Sequence, residues 1–215
     1  MMTFFNPNTP LLCRKESAYA LPDVPGVWRF HLQIGKTTLL STVYTRLDQA
    51  CIVWGVISAI IFITAQFLPI SWTTQAIWWS SLSLIGTVGM VVLTPSWIRE
   101  EGLGWVLDSW IFLMLFGLVV TDLGIFLGWG EVLMNLCPLW LGLIALGYFC
   151  TGVGMRSRTL TLTGLVHLLS IWILPYCGAW QFLATGIITG GSVLLLAEFQ
   201  WDSFGTCGNK IEENL

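Results

Sequence analysis

The feature that most constrains the fold is a series of six long apolar runs separated by short connectors. A run of about 20 apolar residues can cross the hydrocarbon core of a bilayer as a helix. Backbone polar groups in that core must be paired inside their own segment, so helices are expected. The sequence therefore predicts an all-α integral membrane protein whose six transmembrane helices lie at 50–69, 76–94, 104–126, 132–153, 160–178 and 182–199.

Composition supports this class. The chain is 55% hydrophobic and 10% charged, whereas a soluble domain has about 25% charged residues to cover a water-facing surface. Its 22 Gly and 13 Trp also fit, because Gly is common in membrane helices and Trp collects at membrane interfaces. The composition excludes an ordinary soluble enzyme and gives no basic surface for nucleic acid.

The basic residues predict the orientation. The first, third and fifth connectors contain no Lys or Arg, so every basic residue falls on one side of a six-helix bundle. By the positive-inside rule that side is cytoplasmic, which gives three helical hairpins with both termini cytoplasmic. The expected location is a bacterial inner membrane or an equivalent such as the thylakoid. The nine basic residues are Arg14, Lys15, Arg29, Lys36, Arg46, Arg99, Arg156, Arg158 and Lys210.

The chain divides into residues 1–49, the transmembrane domain 50–199 and a flexible tail 200–215. In the first part, "WRFHLQI" alternates apolar and polar residues and predicts a short strand. The following "KTTLLSTVYTRLDQA" places its leucines on one helical face and predicts an amphipathic helix on the membrane surface. The polar tail predicts no fixed structure.

Asp122 is the sharpest feature within the apolar runs. A carboxylate in a membrane segment is costly and usually faces the bundle interior or a wet cavity. Asp122 lies seven residues before Trp129 and Asn135 six residues after it, so antiparallel helices bring the two to the same depth. This spacing predicts a hydrogen bond that joins the third and fourth spans. The alternative is a proton or cation site with Gln66 and Thr64 as further members.

Asp108 lies fourteen residues before Asp122, and the two share one helical face about 21 Å apart along the axis. An acid near each end of a face could line a path. The simpler expectation is an ion pair at the inner interface with Arg99, Arg156 or Arg158, and Glu198 is interpreted in the same way.

His167 lies near the middle of the fifth span. The default interpretation is a histidine hydrogen-bonded within the bundle, and the alternative is an axial ligand of haem or a chlorophyll-type pigment. His31 lies outside the spans, which excludes two histidine ligands. Cys137 and Cys177 could form a disulfide in an oxidising outer space, although buried free thiols are common.

Two small-residue motifs, Gly55–Ala59 and Gly186–Gly190, have the spacing that lets helices approach closely. Packing within the chain is favoured over dimerisation. The stretch "IGKTT" has Phe30 where a phosphate-binding loop needs Gly, so no nucleotide is predicted. No CxxC pair, HExxH motif or Ser-His-acid set occurs in the sequence, so no metal, cofactor or catalytic residue is predicted.

Three functions follow as hypotheses. The leading one is a non-enzymatic accessory, assembly or scaffold component, whose partners are the lipid bilayer and other membrane proteins. The second is a small transporter or proton-coupled carrier that uses Asp122. The third is a haem- or pigment-binding protein that uses His167.

Overall fold

The computed structural model describes residues 10–15, 27–34, 37–94, 98 and 102–202. The chain is mostly helical, and each predicted apolar run lies in helical structure. A short 3₁₀ segment, Leu174–Trp180, joins the last two helices. The helices are α1 (Arg46–Phe67), α2 (Trp72–Leu93), α3 (Gly104–Phe126), α4 (Gly130–Met134), α5 (Leu136–Gly154), α6 (Arg158–Ile173) and α7 (Gln181–Glu198).

Within the described residues, five helical stretches are long and apolar enough to cross a membrane, and this agrees with a membrane location. The first four are α1, α2, α3 and α5. The fifth runs for 41 residues from Arg158 to Glu198 and so contains α6, the 3₁₀ segment and α7. Side-chain caps fix the first residues of α1, α2 and α6. The side chains of Thr45, Ser71 and Ser157 each accept a hydrogen bond from a free backbone N–H in the first turn of the helix that follows.

The described residues also form two antiparallel strand pairs. Strands β2 (Trp28–Ile34) and β3 (Thr37–Tyr44) form a hairpin before α1. The predicted strand at 28–34 is therefore confirmed, and the predicted surface helix is wrong over Thr37–Tyr44. That segment is rich in β-branched and aromatic residues, and a neighbouring strand was available to pair with it.

The second pair joins the two ends of the described chain. Strand β1 (Leu12–Arg14) pairs with β4 (Phe199–Trp201), with Leu12 opposite Trp201. The first residues of the predicted tail are thus ordered, while 203–215 lie outside the described residues. We refer to the end of the bundle beside β1 and β4, where α1 and α6 begin and α7 ends, as the strand end. The other end carries the 3₁₀ segment.

Helices α1 and α7 pack against each other through glycine. A methyl group at Gly186 would lie 2.6 Å from Cβ of Phe62, and one at Gly55 would lie 2.5 Å from Leu194. The Cα of Gly190 faces the carbonyl oxygen of Gly55, since a methyl group there would be 3.4 Å from that oxygen. The prediction that the two small-residue motifs pack within the chain is confirmed.

The helices form a ring. α1 contacts α7 and α2, α2 contacts α3, α3 contacts α5, and α5 contacts α7. α6 packs against α5, where Gly164 lies against the carbonyl of Ala145. The ring of α1, α2, α3, α5 and α7 encloses the space in which the candidate site lies.

Replacing Gly186 by Ala should destabilise the bundle by about 1–3 kcal/mol, because the new methyl overlaps a rigid Phe62 Cβ. Gly191→Ala is the matched control, since a methyl there meets nothing within 4 Å and gains the same helix propensity. Unfolding in mixed detergent micelles, followed by circular dichroism, measures both. Equal stability of the two variants would contradict the close contact.

Candidate functional site

An elongated cavity of about 190 Å³ lies inside the helix ring. On α1 its lining runs from Leu47 to Ala65, a rise of about 27 Å at 1.5 Å per residue. That length approaches the thickness of a bilayer core, about 30 Å. Because a volume of about 190 Å³ is spread over this length, the cavity is long and narrow. Most of its wall is aliphatic or aromatic, so it is also apolar.

The polar groups on the cavity wall are hydroxyls, indoles and two cysteine thiols. Ser58, Ser80 and Ser83 line it, and no described acidic or basic residue does. Two lining tryptophans have hydroxyl partners: Trp110 Nε1 donates to Thr151 at 2.8 Å and Trp140 Nε1 to Thr121 at 3.1 Å. The wall can therefore orient a ligand by a few hydrogen bonds but cannot balance a charge.

Asp122 is held by α2. The hydroxyl of Ser80 lies 2.9 Å from both carboxylate oxygens. The predicted partner Asn135 was wrong, since its amide donates to the Glu131 carbonyl at 2.7 Å. Asn135 sits at the break between α4 and α5, with φ −112°, so its side chain turns back to its own segment.

The signal for Ser80 was present in the sequence. Ser80 and Asp122 each lie 21 residues from Glu101, because 101 − 80 = 21 and 122 − 101 = 21. The argument from equal depth therefore also applies to the hairpin of α2 and α3. Sequence reasoning considered only the later hairpin, which contains Asn135, and did not examine the earlier one.

Gln66 joins the end of α1 to the start of α7, at the end of the bundle that carries the 3₁₀ segment. Its amide donates to the carbonyl of Ala179 at 3.1 Å, and its oxygen accepts from the backbone N–H of Leu183 at 3.2 Å. The latter is a free N–H in the first turn of α7, so Gln66 caps that helix from another helix. Thr64 bonds to the Ile61 carbonyl of its own helix. Gln66 thus has a structural role that is separate from Asp122.

His167 is completely enclosed, with 0% exposed surface. Its Nδ1 lies 2.8 Å from the Thr163 carbonyl, and its ring packs against Tyr148 with centroids 5.1 Å apart. Nε2 has no hydrogen-bond partner among the described residues. The packing leaves no exposed ring edge at which the iron or magnesium of a macrocycle could approach.

Of the two acids predicted to form ion pairs at the strand end, Glu198 has a tyrosine hydroxyl as its partner. Asp108 is exposed, and Arg99, one of its expected partners, lies outside the described residues. Glu198 accepts a 2.7 Å hydrogen bond from the hydroxyl of Tyr44. Burial and, to a smaller extent, the hydrogen bond to Glu198 together raise the pKa of Tyr44 to about 12. Tyr44 therefore remains a donor at neutral pH.

Sequence reasoning missed a buried ion pair. Lys15 Nζ lies 2.6 Å from the carboxylate of Asp48 and donates to the Ala197 carbonyl at 2.5 Å. Asp48 also accepts from the backbone N–H of Thr45 at 2.8 Å, which completes a capping box on α1. In the sequence, the spacing Thr45-x-x-Asp48 is that of a capping box and indicates the role of this carboxylate at the start of a helix. The pair ties β1 to the start of α1 and the end of α7.

Sequence reasoning also missed the role of Asp202. This carboxylate accepts from the backbone N–H of Thr159 at 2.9 Å, from Arg158 Nε at 2.8 Å and from Ser157 Oγ at 2.9 Å. Burial alone raises the pKa of Asp202, but these hydrogen bonds outweigh it and hold the pKa below its usual value. Asp202 thereby fixes the residue that follows β4 to the start of α6.

The cysteines that the structure describes outside the first strand, Cys51, Cys137, Cys150 and Cys177, are free, so Cys137 and Cys177 do not bridge. Within the described part of the chain, no group of three or more His, Cys, Asp and Glu is placed to hold a metal ion.

The predicted site residues do not converge. Asp122, Asn135, Gln66, His167 and Asp108 have separate surroundings, and none of these five lines the cavity. The cavity itself, and the residues next to Asp122 on its wall, are the candidate functional site. Comparison of the chain with protein-family models, with curated proteins and with solved structures finds no match.

Replacing Ser80 by Ala should destabilise the bundle by about 1 kcal/mol, because the Asp122 carboxyl loses a partner between helices. Ser81→Ala is the control, since the hydroxyl of Ser81 bonds only within α2 to the Ile77 carbonyl. A double-mutant cycle with Asp122→Ala separates the pair from each single change. A coupling energy of zero would show that the contact has no energetic weight.

Replacing Asp202 by Asn should cost about 3 kcal/mol at pH 7, since it removes the charge that balances a largely buried Arg158 contact. Because the folded pKa of Asp202 is lowered, its stabilisation is complete above the ordinary carboxyl pKa of about 4 and is lost as pH falls through the folded value. Thermal unfolding should therefore show a difference between variant and wild type that is constant from pH 7 to about 4 and shrinks below it. A difference that is independent of pH would contradict this role.

Proposed function

We propose that the chain is a multi-pass membrane protein with six crossings, and that it binds a single long apolar chain in its internal cavity as a non-enzymatic accessory component of a membrane system. The observation that supports the binding function is the cavity, which extends about 27 Å along the bundle and has apolar walls.

The count of six rests on the 41-residue stretch. As one straight helix it would measure about 60 Å, twice the thickness of a bilayer core. Its first turn, at Arg158 and Thr159, bonds to Asp202, which follows its last turn. The stretch therefore returns to the end where it began, with the reversal at the 3₁₀ segment, where Gly178 has φ 53°. Two crossings account for this return.

The same contacts support the proposed orientation. Lys15, Arg46, Arg156 and Arg158 border the helix termini of the strand end, whereas the connectors at the other end contain no Lys or Arg. By the positive-inside rule the strand end is cytoplasmic or its topological equivalent.

Shape and polarity favour one hydrocarbon chain as the occupant. An apolar cavity on the order of 150 Å³ stays dry and accepts an apolar guest, and this cavity is larger and drawn out along the bundle axis. Its narrow form suits a linear chain better than fused rings. An accessory protein of this kind would hold a membrane lipid or present it to a partner.

The test uses a hexadecyl diazirine, which labels nearby residues on illumination, with purified protein in detergent micelles. Peptide mass spectrometry should find adducts on cavity residues that excess hexadecane suppresses. Met114→Trp, which fills the cavity from α3, should abolish these adducts. Leu115→Trp is the matched control, because Leu115 faces outward.

If labelling is confined to outward-facing residues, does not saturate and is unchanged in Met114→Trp, the chain-binding function is wrong.

A proton-coupled carrier is the second candidate, because Asp122 lies beside Ser80 and Thr121, which line the cavity. In proteoliposomes, Asp122→Asn should abolish proton flux driven by a pH gradient, whereas Asp108→Asn, at an exposed position, should preserve it. Equal flux in wild type and Asp122→Asn would exclude this candidate.

A further inference from the structure

The cavity has an unpartnered polar group at one point of its wall. Trp79 on α2 lines the cavity and is only 7% exposed, yet its indole N–H has no hydrogen-bond partner among the described residues. Two other cavity tryptophans, Trp110 and Trp140, donate to threonine hydroxyls. A buried donor that is left unpaired destabilises the fold, because its desolvation is not compensated, so a ligand group that accepts from it would relieve that cost.

A second unpartnered group lies one helical turn away. Gln75 is 5% exposed, and its Oε1 has no hydrogen-bond partner in the described structure. Its Nε2 donates to the Ile70 carbonyl at 3.2 Å, which fixes the amide so that the oxygen is the free atom. Residues four apart share one face of a helix. The free donor of Trp79 is thus on the cavity wall, and the free acceptor of Gln75 is one turn beyond the part of α2 that lines the cavity, on the same face of the helix.

We infer that the occupant of the cavity is a long-chain alcohol, whose hydroxyl accepts from Trp79 Nε1 and donates to Gln75 Oε1. The inference rests on the proposed chain-binding function and adds the class of ligand. A hydroxyl is the smallest group that plays both roles. The hydrocarbon chain then extends from Trp79 down the cavity towards the strand end.

Electrostatics excludes an anionic head group at this position. Ser80, next to Trp79, contacts the acidic side chain of Asp122, and no described basic residue lines the cavity. The basic residues Lys15, Arg46, Arg156 and Arg158 are at the strand end, whereas Gln75 lies in the first turn of α2 at the other end. A fatty acid carboxylate or a phosphate would therefore be buried without a counter-ion.

The aromatic surroundings shield the site from water. The ring of Trp79 packs against Trp72 and Phe182, with centroids 6.2 and 6.4 Å away, and the ring centroids of Trp72 and Phe182 are 6.3 Å apart. In this dry environment a hydrogen bond to the ligand is stronger than in water.

The experiment measures how well unlabelled ligands suppress the cavity adducts of the hexadecyl diazirine. Hexadecanol should compete about tenfold more effectively than hexadecane, which corresponds to about 1.4 kcal/mol for its two hydrogen bonds together after desolvation. Hexadecyl methyl ether, which accepts but does not donate, should fall between them. Palmitate at neutral pH should compete no better than hexadecane.

Variants assign the effect to residues. Trp79→Phe should remove most of the advantage of hexadecanol over hexadecane and leave competition by hexadecane unchanged. Trp78→Phe is the matched control, because Trp78 is 48% exposed on the outer surface of the same helix. Gln75→Leu should bring hexadecanol to the level of the methyl ether, and circular dichroism checks that each variant is folded.

The outcomes separate the two proposals. If no ligand suppresses adducts in the wild type, the chain-binding function fails. If hexadecane suppresses them and hexadecanol is no better, or if Trp79→Phe and Trp78→Phe behave alike, chain binding stands and the alcohol inference is overturned.

Discussion

The antiparallel contact between α1 and α7 is the interaction on which the rest of the structure depends. Glycines at 55, 186 and 190 let the two helices approach closely. Because α1 and α7 are the first and last long helices, their contact closes the helix ring. Without that closure the internal space would open to lipid along one side. Lipid offers no hydrophobic force to bring helices together, so close packing of small residues must do it.

Polar contacts secure the same helix pair at both ends. At the strand end Lys15 bridges Asp48 at the start of α1 and the carbonyl of Ala197 near the end of α7. At the other end Gln66 of α1 bonds to Ala179 and Leu183 around the start of α7. These contacts use backbone groups that a helix terminus leaves free, so one set of side chains satisfies polar atoms and fixes helix positions together.

This arrangement explains why a chain with so few charges places several of them in buried positions. Asp48 and Asp202 satisfy the N–H groups of helix starts, and each is balanced by a cation. Asp122 differs, since it bonds to a side chain between two helices beside the cavity. Trp79 and Gln75 differ again, since they leave one donor and one acceptor unused in a well-packed region. Trp79 lies on the cavity wall and Gln75 one helical turn away from it, where a ligand would act.

The sequence by itself determined the class of fold. Hydrophobic run lengths placed the helices, and the motifs at Gly55 and Gly186 identified surfaces for close packing. It failed where the outcome depends on which neighbour is nearest in space. Thr37–Tyr44 became a strand because β2 lies beside it, and Asp122 bonded to the earlier hairpin. Only the tertiary structure brought residue 202 to the start of α6 and Lys15 to Asp48, and only it enclosed a cavity, because these features are properties of helix arrangement in three dimensions and no local pattern encodes them.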